Sequence, residues 1–263
     1  MQNISSIIIL YSINFKSYYD IKLNYIKYIK YLAYTQNINI NKIYQLFGYI
    51  WGGSQDIKFI NQHNINIIYD FNGPLYDEDL KKIKNIKKLY SNSSYITDEG
   101  LRSISNIIIL ELFYNKNITD EGLRNIPNIK ILKLQFNTNI TDEGLCHIPN
   151  IKILHLSYNY NITDEGLRNI PNIKILNLYE NKNITDKGLA FILNIEELYL
   201  DNNIYITDKG LHSIPNIKIL YLCKNKNITY KGLKYLTNIK TLNLKNNTNI
   251  TNEELKYIFY KKK

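Results

Sequence analysis

Residues 129–150 read IKILKLQFNTNITDEGLCHIPN and residues 151–172 read IKILHLSYNYNITDEGLRNIPN. The two stretches are one 22-residue unit written twice, and the frame continues on both sides. Units beginning at Ile107, Ile173, Ile195, Ile217 and Ile239 keep it. Seven glycines, Gly100, Gly122, Gly144, Gly166, Gly188, Gly210 and Gly232, fall 22 residues apart inside near-copies of Ile-Thr-Asp-Glu-Gly-Leu. A fixed period of this length describes a chain that stacks one small unit on the next. The letters shared by all copies then hold the stack together, and function must lie where the copies differ.

With Ile129 as position 1, Leu132 and Leu134 at positions 4 and 6 alternate with polar neighbours, the pattern of a strand with one buried face. Asn137 at position 9 is placed to bond backbone groups where the chain leaves that strand. Thr141 at position 13 reads as a helix N-cap, with Asp142 and Glu143 favoured in the first turn by the helix dipole. Ile140 and Leu145 flank the cap as a hydrophobic staple. Glycine at position 16 costs roughly 1 kcal/mol relative to alanine inside a helix, so its recurrence implies that a neighbouring backbone passes close by. Pro127, Pro149, Pro171 and Pro215 at position 21 end the short helix.

The spacing Leu132-x-Leu134-x-x-Asn137-x-x-Ile140-Thr141-Asp142-x-Gly144-Leu145 resembles the cysteine-containing class of leucine-rich repeats, familiar from F-box substrate receptors. The resemblance spans about residues 64–255. Asn stands at position 9 where that class carries Cys, and the unit is several residues shorter. The resemblance implies an α/β leucine-rich-repeat solenoid. It would have a curved parallel sheet on the concave side, short helices on the convex side and a helical N-terminal cap. A substrate-receptor role in an SCF-type ubiquitin ligase, through a Skp1-type adaptor, is its functional implication.

Two parts are expected. Residues 61–263 form the array, with a C-terminal cap from about residue 251. Its nine or so strands begin near Ile65, Ile86, Ile107, Ile129, Ile151, Ile173, Ile195, Ile217 and Ile239. Residues 1–60 form a helical cap or a reduced F-box-like segment. There Tyr25, Ile26, Ile29, Leu32 and Ala33 have helical spacing, as do Ile43, Leu46, Phe47, Ile50 and Trp51 after an N-cap at Asn41.

Charge and cysteine narrow the function. The net charge is +10, of which residues 1–95 carry +5 and the run 96–251 only +3. Nucleic-acid binding needs a basic stripe. The one candidate is the position-2 row Lys87, Lys130, Lys152, Lys174, Lys218 and Lys240, read here mainly as strand-start lysines that keep an edge soluble. Cys146 and Cys223 fall at positions 18 and 7, so no disulfide is expected. With no signal peptide and no membrane-length apolar run, the chain is expected to be an intracellular monomer, cytoplasmic or nuclear.

No enzyme is expected. Asp-Glu pairs recurring every 22 residues are helix caps rather than a catalytic dyad, which occurs once in a cleft. His63, His147, His155 and His212 show no metal-ligand spacing with the cysteines, and no cofactor motif is present. The sequon Asn-Ile-Thr at Asn117, Asn139, Asn161, Asn183, Asn227 and Asn249 is explained by Thr capping.

What varies is positions 5, 7 and 8, expected on the concave face. Aromatics gather there: Phe113, Tyr114, Phe136, Tyr158, Tyr179, Tyr199 and Tyr221, beside Glu111, Lys133, His155 and Asp201. Exposed aromatics are interface anchors that order at low entropic cost. These eleven residues are the candidate partner-binding surface of a non-catalytic protein–protein interaction module.

Overall fold

The computed structural model describes residues 53–70, 74–251 and 253–256, together with Asn39, Asn41, Tyr44 and residues 49–51. One sheet of ten parallel strands runs through it in strict chain order. The strands are β1 (Tyr49–Ile50), β2 (Ile67–Asp70), β3 (Lys88–Ser91), β4 (Ile109–Leu112), β5 (Ile131–Lys133), β6 (Ile153–His155), β7 (Ile175–Asn177), β8 (Glu197–Tyr199), β9 (Ile219–Tyr221) and β10 (Thr241–Asn243). Short helices lie between them: α1 (Ile57–Gln62), α2 (Asp77–Lys82), α3 (Asp98–Ser103), α4 (Asp120–Arg124), α5 (Asp142–Cys146), α6 (Asp164–Arg168), α7 (Asp186–Leu189), α8 (Asp208–Leu211) and α9 (Tyr230–Leu233).

The sheet exceeds the nine expected strands by β1, which pairs Tyr49 with Ile68. A helix running through Trp51 is therefore corrected at its end. Asn41 and Tyr44 are helical, but Tyr49 and Ile50 extend and join the sheet edge. Tyr44, Tyr49 and Phe59 pack edge-on and tilted over the first turn of the stack, with ring centroids 5.4–5.7 Å apart. The helical spacing at Tyr25–Ala33 and most of the expected cap or F-box-like segment over residues 1–60 lie outside the described residues.

The register is constant. Leu110, Leu132, Leu154, Leu176, Leu198 and Leu220 are successive partners across the strands, and all are fully buried. Position-1 isoleucines, position-6 leucines and the staple pairs complete a continuous core along the stack.

Polar ladders supply the rest. Asn115, Asn137, Asn159, Asn181, Asn203 and Asn225 are 0% exposed. Each Nδ2 donates to two carbonyls of the preceding unit, Asn159 to Asn137 (3.0 Å) and Ile140 (2.7 Å). Each Oδ1 accepts backbone N–H groups of its own unit, for Asn159 from Asn161 (2.8 Å) and Ile162 (3.2 Å). The Asn159 side chain thus satisfies four backbone groups that no strand reaches. Each capping Thr accepts from the backbone N–H two residues on, as expected.

The expected close backbone is found at Gly210 and Gly232, where the Cα of Asp186 and of Asp208 would lie 3.2 Å and 2.8 Å from an added Cβ, but the nearest contact at every repeat glycine is a side chain. A Cβ on Gly144 would lie 2.2 Å from Asp120 Oδ1, the position-14 carboxylate of the preceding unit. That carboxylate accepts both the backbone N–H (2.8 Å) and the hydroxyl (2.6 Å) of Thr141. The repeated Asp is therefore an inter-unit tie as well as a first-turn acid.

Candidate functional site

Period-2 alternation turns positions 3 and 5 of every strand away from the core, and the turn after each strand presents positions 7 and 8 beside them. All eleven candidate residues are half-buried or exposed. Position 5 forms a row across the sheet through paired registers: Tyr90, Glu111, Lys133, His155, Asn177, Tyr199 and Tyr221.

Within the row, neighbours are matched. Tyr69 stacks on Tyr90 at 4.8 Å, and burial, with Tyr69 and Glu111 nearby, pushes the Tyr90 phenol up to about 12. Lys133 Nζ meets Glu111 Oε1 at 2.8 Å, so these two oppositely charged residues neutralise each other in the floor. Burial, helped by the Lys133 charge, pushes His155 down to about 4 and keeps it neutral near pH 7. Tyr199 stacks on Tyr221 at 4.9 Å and donates its hydroxyl to Glu197 (3.2 Å). Asp201 accepts the Cys223 backbone N–H at 2.6 Å.

Position 8 holds the feature that sequence reading did not reach. Tyr114, Phe136, Tyr158, Glu180, Asn202, Lys224 and Asn246 all have positive φ, between 58° and 67°. The turn closes with Asn137 N–H donating to Leu134 O (3.3 Å), and its third residue is left-handed. Glycine or asparagine fills such a slot at least cost. Asn202 and Asn246 obey that rule, whereas three consecutive units place aromatic rings there. The rings stack, Tyr114 on Phe136 at 5.0 Å and Phe136 on Tyr158 at 4.5 Å, and Tyr158 continues onto Tyr179 at 5.3 Å. Tyr114, at the end of the stack, is 67% exposed. Phe113 is half-buried beside it.

The position-3 column was also missed, although the alternation that exposes position 5 exposes position 3. Ile109, Ile131, Ile153, Ile175 and Ile219 make a half-buried apolar row alongside it, interrupted by Glu197.

Five of the six lysines of the position-2 row are engaged within the fold. Lys87, Lys130, Lys152 and Lys174 donate to the carbonyls of Asn106, Asn150, Asn172 and Asn194, at 3.2–3.4 Å. Glu196 takes the place of one lysine and bridges Lys174 (3.2 Å) and Lys218. Hydrogen bonds from Lys218 and Lys174 hold its carboxyl below the usual range. The sequon asparagines are likewise occupied, Asn139 Nδ2 donating to Lys116 O and Asn161 Nδ2 to Thr138 O.

One cysteine and one histidine adjoin on the helix face. Glu143, Cys146 and His147 bring a carboxylate, a thiol and an imidazole within 4.8 Å of one another. Both cysteines are free, and among the described residues no helix is long and apolar enough to cross a membrane.

A family pattern described as a leucine-rich repeat matches residues 105–126, 125–145, 147–170 and 169–193. The fold is that of a leucine-rich-repeat solenoid. Among solved structures it is similar to internalin C2 of Listeria monocytogenes, at 26% identity over 73% of this chain and 84% of that one, with a TM-score of 0.57. It is also similar to TLR13, solved as a complex with ssRNA13, at 17% identity and a TM-score of 0.56. That match covers 74% of this chain and 32% of the other, and it bears on the leucine-rich-repeat fold alone. No curated protein matches the sequence.

Proposed function

We propose that the protein is a non-catalytic, intracellular interaction module that holds a segment of a partner protein across its concave face. Phe113, Tyr114, Phe136, Tyr158 and Tyr179 supply the apolar anchors. The Glu111–Lys133 pair, Asp201 and neutral His155 form the polar floor that selects orientation, and Tyr199 and Tyr221 extend the surface. The observation that carries this reading is the aromatic stack at position 8. Bulky side chains in a left-handed slot cost about 1–3 kcal/mol each, and such strain persists where it serves a purpose. Rings held in place beforehand lose little entropy on binding.

The lysine row does not favour phosphate tracking, because five of its six ammonium groups, those of Lys87, Lys130, Lys152, Lys174 and Lys218, already serve carbonyls or Glu196. A substrate-receptor role would rest on residues 1–60 docking an adaptor. Deleting that segment would then remove adaptor binding and spare binding by the array.

The test is selection of binding peptides from a displayed library against the protein, followed by the Phe136→Ala/Tyr158→Ala double variant. Loss of the selected peptides with an unchanged circular dichroism spectrum is the expected result. Undiminished capture by the folded variant would remove this face from consideration.

A further inference from the structure

Among the four units that carry Glu at position 15 before the repeat glycine of the convex side, one departs from the others. In three units the position-15 Glu pairs with the position-18 Arg: Glu99 with Arg102 (3.2 Å), Glu121 with Arg124 (3.4 Å) and Glu165 with Arg168 (3.1 Å). The unit carrying α5 keeps Glu143 but replaces the arginine with Cys146. It also has His147 where its neighbours have Asn125 and Asn169. A routine surface ion pair thereby becomes a cluster of three different metal-ligand types, the one such group among the described residues.

The geometry is close to a coordination face. Cys146 Sγ lies 3.9 Å from Glu143 Oε1 and 3.8 Å from His147 Nδ1, and His147 Nε2 lies 3.9 Å from Glu143 Oε1. In a tetrahedral zinc site with metal–ligand bonds of about 2.0–2.3 Å, neighbouring ligand atoms stand roughly 3.4–3.6 Å apart. One ion takes one imidazole nitrogen, and with a single ligand atom from each residue the three lie within 4.8 Å of one another, so the exposed Glu143 and Cys146 side chains must turn inward by about 1 Å to close on a metal. The competing contact is weak: Arg124 Nε approaches His147 Nε2 at 3.4 Å, while its guanidinium is paired with Glu121.

We propose that Glu143, Cys146 and His147 form a surface site for a thiophilic divalent cation of the Zn2+ class, with solvent in the fourth position. The donor set decides the class. Thiolate and imidazole suit zinc-like ions, whereas calcium and magnesium require six or more oxygen ligands. On binding, the Cys146 S–H bond breaks, its proton passes to solvent, and the sulfur forms the metal bond. The site faces away from the concave surface, so it stands or falls independently of the partner-binding reading.

Cobalt(II) is the probe, because a thiolate ligand gives a near-ultraviolet charge-transfer band and a tetrahedral site gives visible bands. The full-length protein is expected to show both at one equivalent and to lose them when Zn2+ is added. Cys146→Arg and His147→Asn restore the residues of adjacent units, and each is expected to weaken binding by about tenfold or more. Cys223→Ser is expected to leave the bands intact. In the unaltered protein, Zn2+ should protect Cys146 but not Cys223 from iodoacetamide. The proposal is overturned by any of three results: no thiolate band, a band that survives Cys146→Arg or depends on Cys223, or one ion shared by two chains.

Discussion

Asp142 Oδ1 lies 2.2 Å from where a Cβ on Gly166 would stand, so the carboxylate of one unit occupies the place of a side chain in the next. The same Asp142 accepts the Thr163 N–H at 2.8 Å and its hydroxyl at 2.5 Å. Glycine, aspartate and threonine in consecutive units therefore form one joint. Gly166→Ala is expected to cost about 2–3 kcal/mol, because the methyl group must expel a charged acceptor that two donors hold in place. Asp142→Ala frees that space, so the double variant should be less destabilised than the two single losses combined. Urea denaturation of the four proteins measures the coupling.

At both boundaries of the in-frame run the joint is solved another way. Tyr230 replaces the aspartate, and the next glycine slot holds Glu254, whose Oε2 accepts the Thr251 N–H (2.8 Å) and hydroxyl (2.9 Å). Upstream, Asp79 fills the slot and accepts the Tyr76 N–H at 3.1 Å. Tyr230 brings no carboxylate to the following unit, and Glu254 in the glycine slot supplies one locally. The paired change Asp142→Tyr with Gly166→Glu copies this solution. It is expected to be more stable than either single change, and additive losses in denaturation would contradict the account.

This joint marks how far the sequence could be read. The period fixed the strand register, the core columns and the capping threonines, because each rests on local alternation or on a cap within one unit. It gave the glycine an incomplete reason, because the object crowding Gly166 is a side chain 24 residues earlier whose direction depends on stacking. Left-handed φ at position 8 was equally hidden: Asn202 and Asn246 hint at it, but Phe136 and Tyr158 are residues one would not place there. The half-buried isoleucine row at position 3 was legible and was overlooked, since attention to variable columns passes over a column that is mostly Ile. Glu143, Cys146 and His147 adjoin in sequence, yet spacing rules built for chelating loops do not register a single helical turn.

The asparagine ladder makes a sharper demand than burial. Asn159 donates twice and accepts twice, all to backbone. Asn159→Asp keeps the size and the acceptors but turns a negative oxygen toward the Asn137 and Ile140 carbonyls. It is expected to destabilise at neutral pH by about 3–5 kcal/mol, the cost of two buried carbonyls losing donors and facing charge. Thermal unfolding compared with Asn161→Asp, an exposed position, checks it.

His155 supplies a pH dependence whose sign follows from its depressed value. Its pKa falls from 6.5 in the unfolded chain to about 4 in the fold, so the folded state binds fewer protons between those values. The contribution is complete above pH 6.5, is lost as pH falls toward 4, and is constant below that. Partial exposure screens the effect, leaving about 1 kcal/mol. His155→Asn copies the next residue of the row, Asn177, and should lose less stability than the parent between pH 7 and pH 5. Denaturation at the two pH values reads the difference, and an NMR titration of the imidazole reads its cause.

Phe136 separates binding from folding. Its ring lies between Tyr114 and Tyr158, and its backbone sits at φ 61°. Phe136→Asn matches the residue type that the same slot carries at Asn202 and relieves about 1–3 kcal/mol of strain. It also forfeits two stacked contacts worth about 0.5–1.5 kcal/mol each. The opposing effects leave stability within about 1 kcal/mol of the parent, whereas a ring kept only for folding would cost well over 2 kcal/mol when removed. Peptide binding has no such compensation and should be lost with the central ring. Melting and binding measured on the same preparation therefore tell a strained recognition element from an ordinary packing residue.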